Sequence, residues 1–173
     1  MKTALLVVDV QNALIKAKPY HVDIFLNDLK RLIFHCRKNA IEVIFVRHHD
    51  DDLKYGSHDW EIFSELEPSS EEKIIDKAFN SAFRDTELRK YLDQRGISQV
   101  IITGMQIELC IDVTIKVAFE FGYKVIVPKG LTSTFDNRLL TAETLTNFYE
   151  TIWHNRYAQI KELKEILNEE SYD

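Results

Sequence analysis

Leu5-Leu6-Val7-Val8, closed by Asp9, and Val100-Ile101-Ile102, closed two residues later by Gly104, are apolar runs of strand length without internal alternation. A strand that buries one face alternates apolar and polar side chains. An unbroken apolar run needs cover on both faces, which is the situation of a parallel sheet between helices. Outward from these two runs, strand-length and helix-period stretches alternate. A helix over 22–39 follows the first run and precedes a strand at 42–46. A short strand at 73–76 and a helix over 86–95, stopped by Gly96, lead to the second run. Beyond Gly104 the period predicts a helix over 110–121 that ends at Gly122, where positive φ is tolerated, and then a strand at 125–127. The last third reads as a helix over 139–149, a short strand at 151–153 and a helix over 158–167. The expected class is α/β, a three-layer αβα sandwich built on a parallel sheet.

With 173 residues and 45% hydrophobic content, the chain fits one domain, 1–173, large enough to enclose a core and a pocket. Its formal charge of −6 speaks against a surface for nucleic acid, because phosphate affinity comes from clustered Lys and Arg. The run from Ala4 to Val8 is broken by Asp9 long before a signal-peptide core or membrane span is complete, so a cytoplasmic protein with no membrane partner is expected. The two cysteines, Cys36 and Cys110, form neither a C-x-x-C pair nor a metal-ligand spacing. The one long irregular stretch, about 50–72, carries Tyr55, Trp60 and Phe63 and is expected to be an ordered flap.

Ligands of open α/β sheets bind outside the carboxyl ends of the strands, so polar residues at strand ends are the first candidates for chemistry. Asp9 ends the first strand, Lys77 follows Ile74-Ile75-Asp76, and Cys110 opens the helix after Gly104. Each also has a plain reading: Asp9 as a cap or turn residue, Lys77 as a solvated lysine, a cysteine as inert core. That last reading suits Cys36, placed mid-helix among Ile33, Phe34 and Ala40. Cys110 differs, since a helix N-terminus and a neighbouring ammonium both favour thiolate. A carboxylate at Asp9 would accept the thiol proton and later deliver it to a leaving amine.

Leu6-Val7-Val8-Asp9-Val10-Gln11-Asn12, Lys77 with Ser81-Ala82-Phe83, and Gly104-Met105-Gln106-Ile107-Glu108-Leu109-Cys110-Ile111-Asp112-Val113-Thr114 together resemble the isochorismatase-like cysteine hydrolase superfamily over nearly the whole chain. The resemblance implies a six-stranded parallel sheet in order 3-2-1-4-5-6 and places Asp9, Lys77 and Cys110 at the triad positions. It also implies a cis peptide between Met105 and Gln106, with the N–H groups of Gln106 and Cys110 as an oxyanion hole. Isochorismatases proper, which cleave a vinyl ether, lack the cysteine. Its presence here points to a small amide, ureide or carbamoyl substrate cleaved through a thioester. By the same resemblance a homodimer or homotetramer is expected.

Gln11, Asn12, Trp60, Phe79, Phe83 and Gln106 are candidate pocket residues, although core packing explains the aromatics equally well. Trp153 and Tyr157 read as core or as contacts between subunits. Relatives that are nicotinamidases hold a divalent metal through Asp-x-His and a further His. Here Arg47-His48-His49-Asp50-Asp51-Asp52 and Gly56-Ser57-His58-Asp59-Trp60 do not reproduce that spacing, so no metal and no cofactor are expected, and His49, Asp50 and His58 remain the alternative ligand set. Other rivals are a nicotinamidase with an atypical metal site, a non-enzymatic binding domain on the same fold, a phosphatase with Asp9 as nucleophile, which needs a second Asp where Gln11 stands, and a thiol-redox role without an obvious resolving cysteine.

Overall fold

The continuously apolar runs form the centre of a parallel sheet in the computed structural model, which describes residues 1–169. The end of the expected domain, 170–173, lies outside the described residues. Strand β1 (Thr3–Val8) pairs on one side with β2 (Glu42–His48) and beyond it with β3 (Lys73–Lys77). On its other side it pairs with β4 (Gln99–Met105), in register from Thr3 against Gln99 to Val8 against Gly104, and then comes β5 (Lys124–Pro128). A two-residue β6 (Thr132–Ser133) pairs the end of β4, and β7 (Gln159–Lys161) closes the edge beside β5. The order is therefore 3-2-1-4-5-7, parallel throughout.

Alternate residues of β1 feed two separate cores, as the pleat requires. Ala4, Leu6 and Val8 pack with α3 (Leu88–Gln94), α4 (Asp112–Glu120) and α5 (Ala142–Trp153) through Leu88, Leu92, Ile115, Ala118 and Trp153. Leu5 and Val7 pack with α2 (Val22–Lys38) and α6 (Leu163–Ile166) through Phe25, Leu29, Leu32, Cys36 and Leu163. Two cores flanking one sheet make the three-layer sandwich. A short α1 (Asn12–Lys16) follows β1. Among the described residues no helix is long and apolar enough to cross a membrane.

The last third departs from the sequence expectation. Residues 151–153, rich in β-formers, are the end of α5 rather than a strand, because Ala142, Leu145, Tyr149 and Trp153 repeat at helical spacing on its inner side. Trp153 is a core residue, with its indole N–H donating to Asp112 Oδ1 at 2.9 Å. The sheet's sixth place falls instead to 159–161, read from the sequence as part of a helix. Its middle residue Ile160 is half-buried between exposed neighbours, so this short edge strand leaves almost no period to read.

Gly104 decides how β1 and β4 meet. Its φ is +119°, and a Cβ there would lie 1.9 Å from the carbonyl oxygen of Val8. Gly104→Ala is therefore expected to push β1 away from β4 just before Asp9, costing about 3 kcal/mol in urea unfolding and reducing activity through the displaced carboxylate. Unchanged stability would contradict this account.

Candidate active site

The order of the sheet reverses between β1 and β4, where connections leave in opposite directions and open a crevice at the carboxyl ends. Asp9 follows β1 with φ at +55°, a conformation that aspartate tolerates better than most residues, and its N–H donates to Val46 O at 2.9 Å. Lys77 is the last residue of β3. Cys110 lies in a π-helical turn (Ile107–Ile111) that runs into α4, so the helical segment begins three residues before the expected start at Cys110. The Met105–Gln106 peptide is cis. The N–H groups of Leu109 and Ile111 both donate to Gln106 O, at 3.1 Å.

The structure brings the three residues together. Lys77 Nζ donates to Asp9 Oδ2 at 2.8 Å and to Cys110 Sγ at 3.2 Å. The side chains of Lys77 and Asp9 are 0% and 3% exposed. Two charges so deeply buried are tolerable only as a hydrogen-bonded pair. Asp9 Oδ1 is buried with no hydrogen-bond partner among the described residues. An Asp9 carboxylate oxygen lies within 4.8 Å of Cys110 Sγ, so the carboxylate can accept the thiol proton.

Thiolate is not the resting state of Cys110. Burial first and the Asp9 carboxylate second push its thiol up to about 12, outweighing the opposing pull of the Lys77 ammonium. Desolvation, which only the fold reveals, outweighs the neighbouring ammonium. Cys36 is also pushed up to about 12, by burial alone, in the core under α2.

A cavity of about 320 Å³ opens onto Cys110 and Asp9. Its apolar wall is Ala13, Leu14, Leu53, Met105 and Leu109, and its polar groups are His48, Asp50, Asp52, Asn80 and Gln106. Of the six pocket candidates, only Gln106 lines it. Gln11 is wholly buried, its amide donating to His48 O at 2.9 Å and Trp60 O at 2.6 Å and accepting from the His48 N–H at 2.9 Å. Asn12 donates to His58 O at 2.8 Å. Both therefore tie the segment after Asp9 to the 50–72 region. Trp60 is buried under the Arg47 guanidinium, Phe83 packs with Phe121 and Tyr123, and Phe79 sits half-exposed under Arg84.

His49, Asp50 and His58 do not converge. The His49 ring meets Tyr55 edge-on, and the His58 side chain is 83% exposed. Among the described residues, the one set of three His, Cys, Asp or Glu ligand atoms within 4.8 Å of one another is Asp9, His48 and Cys110. The Lys77 ammonium already bonds all three, so the cation these donors fit is the lysine. His49, Asp50 and His58 do not form such a set among the described residues.

In the sequence His48 stands out only within the histidine and aspartate stretch 48–52, and Asn80 does not stand out. His48 could have been found by the strand-end rule that found Asp9, had β2 been carried two residues beyond 46. Asn80, 3.8 Å from Cys110 Sγ through its Oδ1, gives no sequence signal.

Residues 3–151 match the family model described as the isochorismatase domain. Nicotinamidase 3 of Arabidopsis thaliana is 32% identical over 162 residues, covering 83% of this chain and 79% of that protein. A streptothricin hydrolase of Streptomyces noursei is 30% identical over 142 residues, which cover 77% of this chain and 50% of that protein, so this chain spans half of that relative's length. The solved structure of an isochorismatase family protein superposes with a TM-score of 0.89 at 30% identity, covering 92% of this chain and 98% of that one.

Proposed function

The chain belongs to the isochorismatase family, and from that premise we propose that it is an amidohydrolase that cleaves a carbon–nitrogen bond of a small molecule through a thioester on Cys110. One observation carries this reading: a buried ammonium bonded to a carboxylate at 2.8 Å and a thiol at 3.2 Å, at the floor of a cavity of small-molecule size. The chain acts in this reading as one hydrolase domain, with 50–72 as the flap over its site.

Because the thiol is protonated at rest, its proton moves to Asp9 Oδ1 as sulfur attacks the substrate carbonyl. The oxyanion of the tetrahedral intermediate is met by the N–H groups of Gln106 and Cys110. The C–N bond then breaks, the amine leaves with the proton held by Asp9, and the acyl group stays on sulfur. Water, deprotonated by Asp9, attacks the thioester and releases the acid, and the thiolate takes back its proton. Lys77 holds the Asp9 carboxylate in place and stabilises sulfur while it carries negative charge.

The test is to trap the acyl group. Incubation with a panel of small amides is expected to leave, for at least one, an acyl adduct on Cys110 in the intact-protein mass. Turnover of an amide by a variant lacking Cys110 would sink the reading. A simpler measurement needs no substrate. Iodoacetamide is expected to label Cys110 and spare Cys36, although burial raises both thiols, because only Cys110 faces a cavity and a base. Asp9→Asn should speed that labelling, because it removes the carboxylate that raises the Cys110 thiol and leaves the Lys77 ammonium to favour thiolate. Equal labelling of the two cysteines would contradict it.

A further inference from the structure

Lys77 has three ammonium protons, and two of them are taken by Asp9 and Cys110. The third faces His48 Nδ1 at 3.1 Å. An ammonium offers donors only, so Nδ1 must be the unprotonated ring nitrogen and the proton sits on Nε2. Nε2 in turn lies 3.3 Å from Asp50 Oδ2, a carboxylate whose other oxygen accepts the N–H groups of Leu53 and Asp52. Those bonds, the Leu53 one first, hold the Asp50 carboxyl below its usual range, so it remains an acceptor for Nε2–H.

The main chain of His48 is fixed from a second direction. Its N–H and its C=O are both bonded by the buried amide of Gln11, three residues past the end of β1. It is also the register partner of Lys77 across β2 and β3, which sets the two side chains next to each other. Neither contact involves the cavity.

We infer that His48 is a positioning residue of this site: as a neutral imidazole it accepts the third proton of Lys77, fixes the ammonium between Asp9 and Cys110, and couples that geometry to Asp50 at the cavity wall. The inference rests on the reading of Cys110 as the nucleophile. Protonation would turn Nδ1 into a donor facing a donor, break the contact and place a second cation beside the first. The ionisable groups facing His48 are Lys77 from β3, Asp9 from the end of β1, Cys110 from the π-helical turn and Asp50 from its own loop. Burial, and then Lys77, hold its proton affinity below the ordinary histidine range, so it is neutral at pH 7 and charges only in acid.

The experiment uses p-nitrophenyl acetate, an ester that acylates thiols, with intact-protein mass to place the acetyl group on Cys110 and nitrophenol release to time it from pH 4 to 8. His48→Leu should lower the acetylation rate by up to about 100-fold, the scale of a catalytic group displaced by an ångström. His48→Gln, whose side-chain carbonyl accepts from Lys77 but does not titrate, should restore most of that rate. In His48→Gln the acid limb should also move to lower pH than in wild type, which a merely structural role would not produce. A His48→Leu rate within twofold of wild type, or a His48→Gln limb at the wild-type position, overturns the inference. Should His48→Leu not fold, the position of the limb in His48→Gln decides alone. A wild-type protein that gains no acetyl group on Cys110 overturns the proposed function itself, and this inference with it.

Discussion

Cys110→Ala is expected to lose amide turnover by about 10⁴-fold or more, the scale seen when the nucleophile of a covalent hydrolase is removed, while melting within a few degrees of wild type. The two halves of this result follow from different contacts. In the proposed mechanism the thiol sulfur carries the acyl group, and no nearby hydroxyl can replace it: the cavity's other polar groups are imidazole, carboxylates and amides. For folding, the same sulfur is a small part of a large core, 7% exposed and flanked by Ile107 and Ile111, which remain. Lys77 would keep its bonds to Asp9 and His48, so no buried charge is stranded. Truncating one small side chain at the wall of an open cavity should cost about 1 kcal/mol. Thermal melting beside an ammonia or amine release assay separates the two effects. Activity within tenfold of wild type in a folded Cys110→Ala protein would falsify the mechanism, and Cys36→Ala serves as the control that leaves activity unchanged.

How much of this was legible in the sequence depends on whether a feature is periodic or long-range. Leu5 to Val8 and Val100 to Ile102 announce two central strands because burial on both faces removes polar alternation, and the structure places them side by side. The meeting of Asp9, Lys77 and Cys110 was legible through one topological rule, that strands of a parallel sheet end at the same edge. What the rule could not supply was environment. Phe83 looks like a pocket wall beside Ser81-Ala82, yet it turns into the core against Tyr123, and Gln11 looks like a ligand for substrate, yet it stitches His48 to Trp60. His48 carries no strand-end signal because β2 runs on through Arg47 and His48, where the apolar signal has already stopped. Arg47 can sit in a strand because Asp76 on the adjoining strand neutralises it, its Nε donating to Asp76 Oδ1 at 2.7 Å. Such a pairing joins residues distant in the chain, and no local period marks it.

The ion pair of Asp9 and Lys77 should make stability and catalysis respond differently to the same substitutions. Asp9→Asn and Lys77→Met each remove one partner from a pair with side chains 3% and 0% exposed. Each single variant leaves the other charge unpaired and almost wholly buried, a loss of about 3–5 kcal/mol. Asparagine is the right replacement at residue 9, since it tolerates the positive φ there and leaves the backbone out of the comparison. Methionine keeps most of the lysine stem and so avoids an added cavity. The double variant removes both charges together and is expected to lie within about 2 kcal/mol of wild type, so the two losses are far from additive. Activity should follow the opposite pattern. Without Asp9 no group protonates the leaving amine or deprotonates the attacking water, and without Lys77 the carboxylate and sulfur lose the cation between them, so all three variants should be at least about 10³-fold slower. Urea denaturation gives one half of the cycle and initial rates the other. Simple addition of the two stability losses in the double variant would mean that the pair does not interact as the 2.8 Å contact implies. A double variant that recovers stability and activity together would mean that Asp9 and Lys77 serve the fold alone.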